Sequence, residues 1–133
     1  MDKCSKQPIF IVDDDQGILD SFEVILGDDY CLVMVDNGTD AVELLSKQNP
    51  PLLFLDIKIP GMNSLKVLEI IRANGIDTVV VIVSALYRDK YREIANKFGV
   101  YRYLSKPFDV EEVENIARHV IPYEMVSDQV SIR

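Results

Sequence analysis

The sequence has few cysteines, no long hydrophobic run and a shortage of positive charge. Its 133 residues include two cysteines, Cys4 and Cys31, too few and too irregularly spaced for a disulfide framework or a zinc site. Cys31 lies in an apolar stretch, and we expect a small buried side chain there. No stretch is apolar for long enough to span a bilayer, and the N-terminus lacks the basic-then-apolar pattern of a signal peptide. These absences favour a protein of the reducing cytoplasm that does not associate with membranes.

Acidic residues outnumber basic ones. Aspartate and glutamate total 22, lysine and arginine total 14, and the formal net charge is -8. An acidic surface repels phosphate backbones, which argues against direct binding of nucleic acid. The local cluster of positive charge, formed by Lys90, Arg92 and Lys97, is interpreted as the solvated face of a helix. The length and the 48% hydrophobic fraction fit a single globular domain.

Short apolar runs alternate with segments of helical periodicity. The predicted strands are 8–12, 31–35, 52–55, 78–83 and 101–104. The weakest helical segment lies between them at 88–98, and we expect that helix to be the most exposed. Residues 79–83 are apolar at every position, which is typical of strands buried on both faces in a parallel sheet. Five strands alternating with five helices predict a three-layer, doubly wound α/β domain.

Polar residues stand at the ends of four predicted strands. Asp13 and Asp14 follow the first strand, Asp56 the third and Ser84 the fourth, and Lys106 comes shortly after the fifth. The carboxyl ends of parallel strands share one edge, where open α/β sheets bind ligands, so we expect these side chains to converge. Three carboxylates brought together must take up protons or recruit a cation, and a hard, oxygen-rich site suits Mg²⁺. The pattern predicts a metal-assisted aspartyl-phosphate site.

Four stretches occur in a fixed order along the chain. They are Val12-Asp13-Asp14-Asp15, the run from Leu55-Asp56-Ile57-Lys58 to Met62, Val83-Ser84-Ala85, and the run from Tyr103 through Ser105-Lys106-Pro107 to Phe108. Together they resemble the receiver domain of bacterial response regulators in two-component signalling, of the chemotaxis-regulator type. The resemblance implies a flavodoxin-like (βα)5 fold with strand order 2-1-3-4-5. It implies a receiver domain over residues 8–121, an N-terminal extension over 1–7, and a C-terminal tail or linker stub over 122–133.

The resemblance also implies a role for each acidic residue. Asp56 would be the nucleophile that accepts the phosphoryl group. Asp14, Asp56 and the backbone carbonyl of Lys58 would bind Mg²⁺ directly, with Mn²⁺ as an alternative, and Asp13 would bind it through water. Asp15 has no role in this scheme, and helix capping is the interpretation that we adopt for it.

Further roles follow for the polar residues of the last two strands. Lys106 would bind the phosphate, aimed by a cis peptide bond to Pro107. Ser84 would bind a phosphate oxygen, and Tyr103 would turn inward to fill the space that the serine leaves. Tyr103 as an ordinary half-buried strand aromatic remains the alternative.

Two positions at which the family adjusts phosphate lifetime are occupied by Lys58 and Leu86. Lys58 would pair with the phosphate and Leu86 would shield it, so we expect an unusual dephosphorylation rate, slower if shielding dominates. His119, the single histidine, is interpreted as a favourable charge at a helix C-terminus rather than as a phosphorylation site.

The function implied is that of a switch rather than an enzyme, with Mg²⁺-dependent self-phosphorylation and self-dephosphorylation only. A histidine kinase or histidine phosphotransfer protein would donate the phosphoryl group. A downstream effector or an attached output domain would bind the modified form, and a homodimer formed on phosphorylation is a further expectation. Two rivals are an unphosphorylated binding module and a hydrolase of the haloacid dehalogenase type. That hydrolase needs threonine or valine where Gly17 stands.

Overall fold

The computed structural model describes residues 7–57, 62–85, 93 and 97–121. Within these ranges the chain forms five strands and four helices. The strands are β1 (Ile9–Val12), β2 (Leu32–Val35), β3 (Leu52–Asp56), β4 (Val79–Ser84) and β5 (Arg102–Ser105). The helices are α1 (Gln16–Leu26), α2 (Gly38–Gln48), α3 (Ser64–Ala73) and α4 (Val110–Val120). The predicted helix at 88–98 falls mostly outside the described residues, as do residues 1–6 and 122–133.

The five strands form one parallel sheet in the order β2-β1-β3-β4-β5, which confirms the predicted order. The register brings the strands level at their carboxyl ends. Val12 of β1 pairs with Val35 of β2 and with Leu55 of β3, and Asp56 pairs with Val83 of β4. The residues that follow these strands are therefore collected at one edge of the sheet.

The sheet is covered by hydrophobic side chains on both faces. Every residue of β1 and β3 is buried, and so is every residue of β4 after Val79, as the apolar run at 79–83 predicted. Alternate residues point to opposite faces: Ile9 and Ile11 pack with α1 and α4, whereas Phe10 and Val12 pack with α2 and α3. The described helices thus form the two outer layers of the predicted three-layer domain.

Asp15 caps α1, as the sequence predicted. Its carboxylate accepts a hydrogen bond of 2.9 Å from the backbone amide of Gly17, which satisfies one of the free amides in the first turn. None of the described helices is long and apolar enough to cross a membrane.

Cys31, directly before β2, is 6% exposed, as expected, but it is also disulfide-bonded. The argument from cysteine number and spacing against a disulfide framework did not anticipate this bond, because spacing along the chain does not show which segments lie side by side after folding. Disulfides are uncommon in reducing compartments. The cysteine count therefore gives no support to a cytoplasmic location.

Arg72, in the last turn of α3, ties the turn before β4 to the segment before β5. Its Nε donates a hydrogen bond of 2.9 Å to the carbonyl of Phe98. Its Nη1 donates bonds of 2.9 Å to the carbonyls of Ile76 and Thr78. One planar guanidinium thus satisfies three backbone acceptors that are partly shielded from water.

We expect Arg72→Lys to lower the free energy of unfolding, because an ammonium cannot meet three carbonyls in the geometry of the guanidinium fork. Leaving these carbonyls without hydrogen-bond partners should lower the free energy of unfolding by about 1–3 kcal/mol, which urea denaturation would measure. The matched control is Arg118→Lys, whose guanidinium donates an exposed bond to Asn115. That variant should change the free energy by less than about 0.5 kcal/mol, and equal losses in the two variants would contradict this account of Arg72.

Candidate functional site

Three carboxylates meet at the carboxyl edge of β1 and β3. Asp13 and Asp14 directly follow β1, and Asp56 is the last residue of β3. One oxygen atom of each lies within 4.8 Å of the others. Asp13 is 2% and Asp56 7% exposed, whereas Asp14 faces solvent. The structure thus brings together the three acidic residues that the sequence predicted to converge.

Lys106 reaches this cluster from the loop after β5. Its Nζ lies 2.9 Å from Oδ2 of Asp13 and 3.4 Å from Oδ2 of Asp56, and its side chain is 18% exposed. Burial lowers the pKa of Lys106, but the hydrogen bond to Asp13 and the charges of Asp56 and Asp13 together raise it above the usual lysine value. The ammonium is therefore charged at neutral pH. One such charge against three carboxylates leaves an excess of formal negative charge in the site.

Backbone and aromatic contacts hold Lys106 in place. The peptide bond between Lys106 and Pro107 is cis, as predicted. The backbone amide of Lys106 donates a hydrogen bond of 2.9 Å to the carbonyl of Ser84 at the end of β4. On the other side, the ring of Phe108 packs 4.9 Å from the ring of Phe22 on α1. These contacts fix the loop to both the sheet and α1, so the ammonium has a defined position.

Hydrogen bonds also orient Asp13. Its backbone amide donates to the carbonyl of Val35 at 3.0 Å, which continues the pairing of β1 with β2. Its Oδ1 accepts a bond of 2.9 Å from the amide of Asp15. Its Oδ2 is then directed to the ammonium of Lys106.

Ser64 is a positioning residue that the sequence argument missed. Its buried hydroxyl donates a hydrogen bond to the backbone carbonyl of Asp56, tying the start of α3 to the end of β3. Asn63 caps the same helix by accepting a bond of 2.9 Å from the amide of Lys66. No signal in the sequence indicates this contact, because Ser64 and Asp56 become neighbours only after the chain folds.

A close approach of backbones supports the chain beyond β3. A Cβ atom added to Gly38, the first residue of α2, would overlap the carbonyl oxygen of Met62. A side chain at residue 38 would therefore displace Met62. The N-terminus of α2 thus packs against the residue that lies shortly before the start of α3.

Ser84 and Tyr103 lie on neighbouring strands beside the cluster. Ser84 ends β4 and is 3% exposed, and it pairs with Ser105. Tyr103 is half-buried in β5 and packs against the core between the sheet, α2 and α3. This position fits both interpretations of Tyr103, as a switch residue and as an ordinary strand aromatic. Lys58 and Leu86 lie outside the described residues, so their predicted roles stay predictions.

The donor set fits a hard divalent cation. Mg²⁺ prefers oxygen ligands and keeps several of its waters, so a few carboxylates at a partly open position suit it. Asp14 is exposed while Asp13 and Asp56 are buried, which leaves one side of the cluster open to water and to a ligand. The excess of negative charge favours the same ion.

The comparisons with known proteins agree with this geometry. The family model described as the response regulator receiver domain matches residues 9–118. Sporulation initiation phosphotransferase F of Bacillus subtilis (strain 168) is 29% identical over 117 residues, covering 87% of this chain and 94% of its own. The transcriptional regulatory protein CrdR of Helicobacter pylori is 34% identical over 111 residues, covering 82% of this chain but 52% of its own. The chain therefore spans nearly all of one relative and about half of the other.

Solved structures show the same fold. The signal receiver domain of a putative Luxo repressor protein from Vibrio parahaemolyticus has a TM-score of 0.81 and 25% identity, covering 90% of this chain and 93% of its own. The receiver domain of the sensor histidine kinase PA1611 from Pseudomonas aeruginosa PAO1 has a TM-score of 0.76 and 26% identity. The match covers 86% of this chain and 96% of that one. That structure holds a magnesium ion in its active-site cleft.

We expect Lys106→Met to lower the free energy of unfolding in metal-free buffer at neutral pH. The variant leaves the buried carboxylates of Asp13 and Asp56 without the ammonium that they contact. Losing this partner should lower the free energy of unfolding, measured by urea denaturation, by about 1–3 kcal/mol. Lys66→Met is the control, because Lys66 pairs with Glu69 at 3.4 Å on the open surface. Its effect should stay below about 0.5 kcal/mol. If both lysines prove equally dispensable, the ion pair at the site does not contribute as described.

Proposed function

This chain belongs to the response regulator receiver domain family, and from that membership we propose that it is a phosphorylation-controlled switch whose phosphoacceptor is Asp56. Receiver domains are the regulatory phosphoacceptor domains of two-component signalling. The observation that carries the proposal is the meeting of Asp13, Asp14 and Asp56 with Lys106 at one edge of the sheet. The family match over residues 9–118 leaves the hydrolase alternative without support.

In the proposed reaction, a carboxylate oxygen of Asp56 attacks the phosphorus atom of the donor. The bond from phosphorus to the donor's leaving atom breaks, and an aspartyl phosphate forms. Such a transfer needs alignment and charge neutralisation more than covalent assistance. Lys106, 3.4 Å from Asp56, is placed to offset the charge of the incoming phosphoryl oxygens.

We propose that Asp13, Asp14 and Asp56 hold Mg²⁺, together with the backbone carbonyl of Lys58. When bound, the ion neutralises charge on the transferring phosphoryl group. Mn²⁺ accepts the same oxygen donors and is the alternative. The residues themselves supply the negative charge that attracts the ion, and Lys106 keeps the two buried carboxylates from repelling each other in its absence.

The switch proper would involve Ser84 and Tyr103. The hydroxyl of Ser84 would bind a phosphate oxygen, and Tyr103 would move further into the core beside it. A partner that binds the modified conformation more tightly then shifts the equilibrium toward it. Lys58 and Leu86 would set how long the phosphoryl group persists, and self-hydrolysis would end the signal.

We propose a histidine kinase or histidine phosphotransfer protein as the donor, acting in the cytoplasm. The readout would be a downstream effector, an output domain attached beyond a receiver domain of residues 8–121, or a homodimer. Residues 1–7 would be an extension, and 122–133 a tail or linker. Sporulation initiation phosphotransferase F, which the chain spans almost completely, supports a stand-alone regulator. CrdR, of which it spans 52%, supports a receiver within a longer protein.

The first test is phosphorylation by acetyl phosphate with Mg²⁺, followed by intact-mass spectrometry. We expect a mass gain of one phosphoryl group, lost when the metal is chelated. Asp56→Asn should abolish the gain because an amide is not a competent nucleophile. Asp20→Asn, which alters an exposed carboxylate on α1, should retain it. A gain that persists in Asp56→Asn, or no gain in the wild type, would refute the proposal, and the latter result would favour an unphosphorylated binding module.

The second test measures binding of Mg²⁺ through thermal stability, without any phosphoryl donor. At about ten times its dissociation constant, the ion should stabilise the native state by about 1.4 kcal/mol and raise the melting temperature accordingly. Asp14→Asn should remove most of this increase, whereas Asp20→Asn should keep it. An increase of the same size in Asp14→Asn would exclude Asp14 as a ligand.

A further inference from the structure

The net negative charge of this chain arises from one part of it. Residues 14–48, which form α1, β2 and α2, contain nine acidic residues and one basic residue, so their formal charge of -8 equals that of the whole chain. The other 98 residues contain 13 of each and are formally neutral. All nine acidic residues are exposed: Asp14, Asp15, Asp20, Glu23, Asp28, Asp29, Asp36, Asp40 and Glu43.

A groove of about 500 Å³ lies between α1 and α2 within this acidic part. We call it the α1/α2 groove. Its floor is apolar, formed by Leu19 of α1, Met34 of β2 and Leu44 of α2, and its rim is formed by Asp36, Asp40 and Glu43. The groove therefore offers hydrophobic contact at the bottom and negative charge along the side.

The charges of the rim are only weakly compensated. Glu43 pairs with Lys47 at 3.5 Å, but both side chains are about two-thirds exposed, and such pairs are weak. Asp36 and Asp40 accept hydrogen bonds of 2.8 and 3.0 Å from the side-chain amide of Asn37, which carries no charge. The rim thus keeps its attraction for a cationic partner.

The α1/α2 groove opens beside the carboxylate cluster. Asp36 directly follows β2, and Asp13 directly follows β1 on the adjacent strand. Val12 pairs with Val35, and the amide of Asp13 bonds to the carbonyl of Val35 at 3.0 Å. A partner seated in the groove is consequently next to the residue that would receive the phosphoryl group.

We propose that the α1/α2 groove docks a basic amphipathic helix of the protein that donates the phosphoryl group. The apolar side of that helix covers Leu19, Met34 and Leu44, and its lysines and arginines meet the acidic rim. Complementary charge of this kind favours encounter and selects among partners. The identification of the partner as the donor rests on the proposed function, because only that function gives the neighbouring site a phosphoryl group to receive.

The test uses a synthetic probe helix of about five turns, with leucine along one side and lysine along the other. It is titrated into protein carrying ¹³C-labelled methionine and leucine methyl groups, and NMR shifts report both position and affinity. We expect the methyl signals of Leu19, Met34 and Leu44 to move. A probe with glutamate in place of lysine should not bind.

Two matched triple variants separate the groove from general acidity. Asp36→Asn/Asp40→Asn/Glu43→Gln removes three charges from the rim and should weaken binding about tenfold. Glu111→Gln/Glu112→Gln/Glu114→Gln removes the same charge from α4, in the formally neutral part of the chain. It should weaken binding by less than about twofold, because these three side chains do not line the groove and salt screens charges that do not contact the probe.

Equal weakening in the two triple variants would overturn the proposal, since it would indicate general attraction to an acidic protein. Methyl shifts centred elsewhere, for example on the exposed Leu65 of α3, would overturn it as well. The acetyl phosphate experiment on the wild type reports separately on Asp56. If Asp56 is not modified while the probe still binds the groove, the proposed function fails and the docking surface stands without its assigned partner.

Discussion

The contact of Lys106 with Asp13 and Asp56 is the interaction on which the site depends. It joins the loop after β5, at one edge of the sheet, to the ends of β1 and β3 at its centre. Without the ammonium, the two buried carboxylates would face each other in a region of low dielectric, which folding tolerates poorly. The charge that makes the site reactive is therefore also a charge that the fold must stabilise.

The rest of the structure holds Asp13, Asp56 and Lys106 at fixed distances from one another. Parallel pairing brings the strand ends level, and the burial of both faces of β1 and β3 prevents the strands from slipping by a residue. Ser64 fixes the carbonyl of Asp56, and Phe108 fixes the loop of Lys106 against α1. These contacts couple the position of Asp56 to that of Lys106, which is the coupling that the proposed switch requires.

The strands and the site could be predicted from sequence because both depend on local signals. Each strand is a short apolar run with a polar end, and the predicted strand at 52–55 differs from the observed Leu52–Asp56 by one residue. The site residues stand at those polar ends, so predicting the strands also predicted where the residues meet.

The features that were missed depend on residues that become neighbours only after folding. Arg72 bonds to the carbonyl of Phe98, 26 residues away, and nothing in the residue types announces that contact. The disulfide of Cys31 and the bond of Ser64 to Asp56 belong to the same class. The excess of acidic residues in 14–48 is visible in the sequence. The sequence does not show that some of them line a groove, because the groove forms only when α1 and α2 pack beside β2. Under the proposed function, a site with surplus negative charge receives a phosphoryl group that is itself negative, and the two repel each other. A donor protein with positive charge at the adjacent groove would offset this repulsion, whereas a small anionic donor would not.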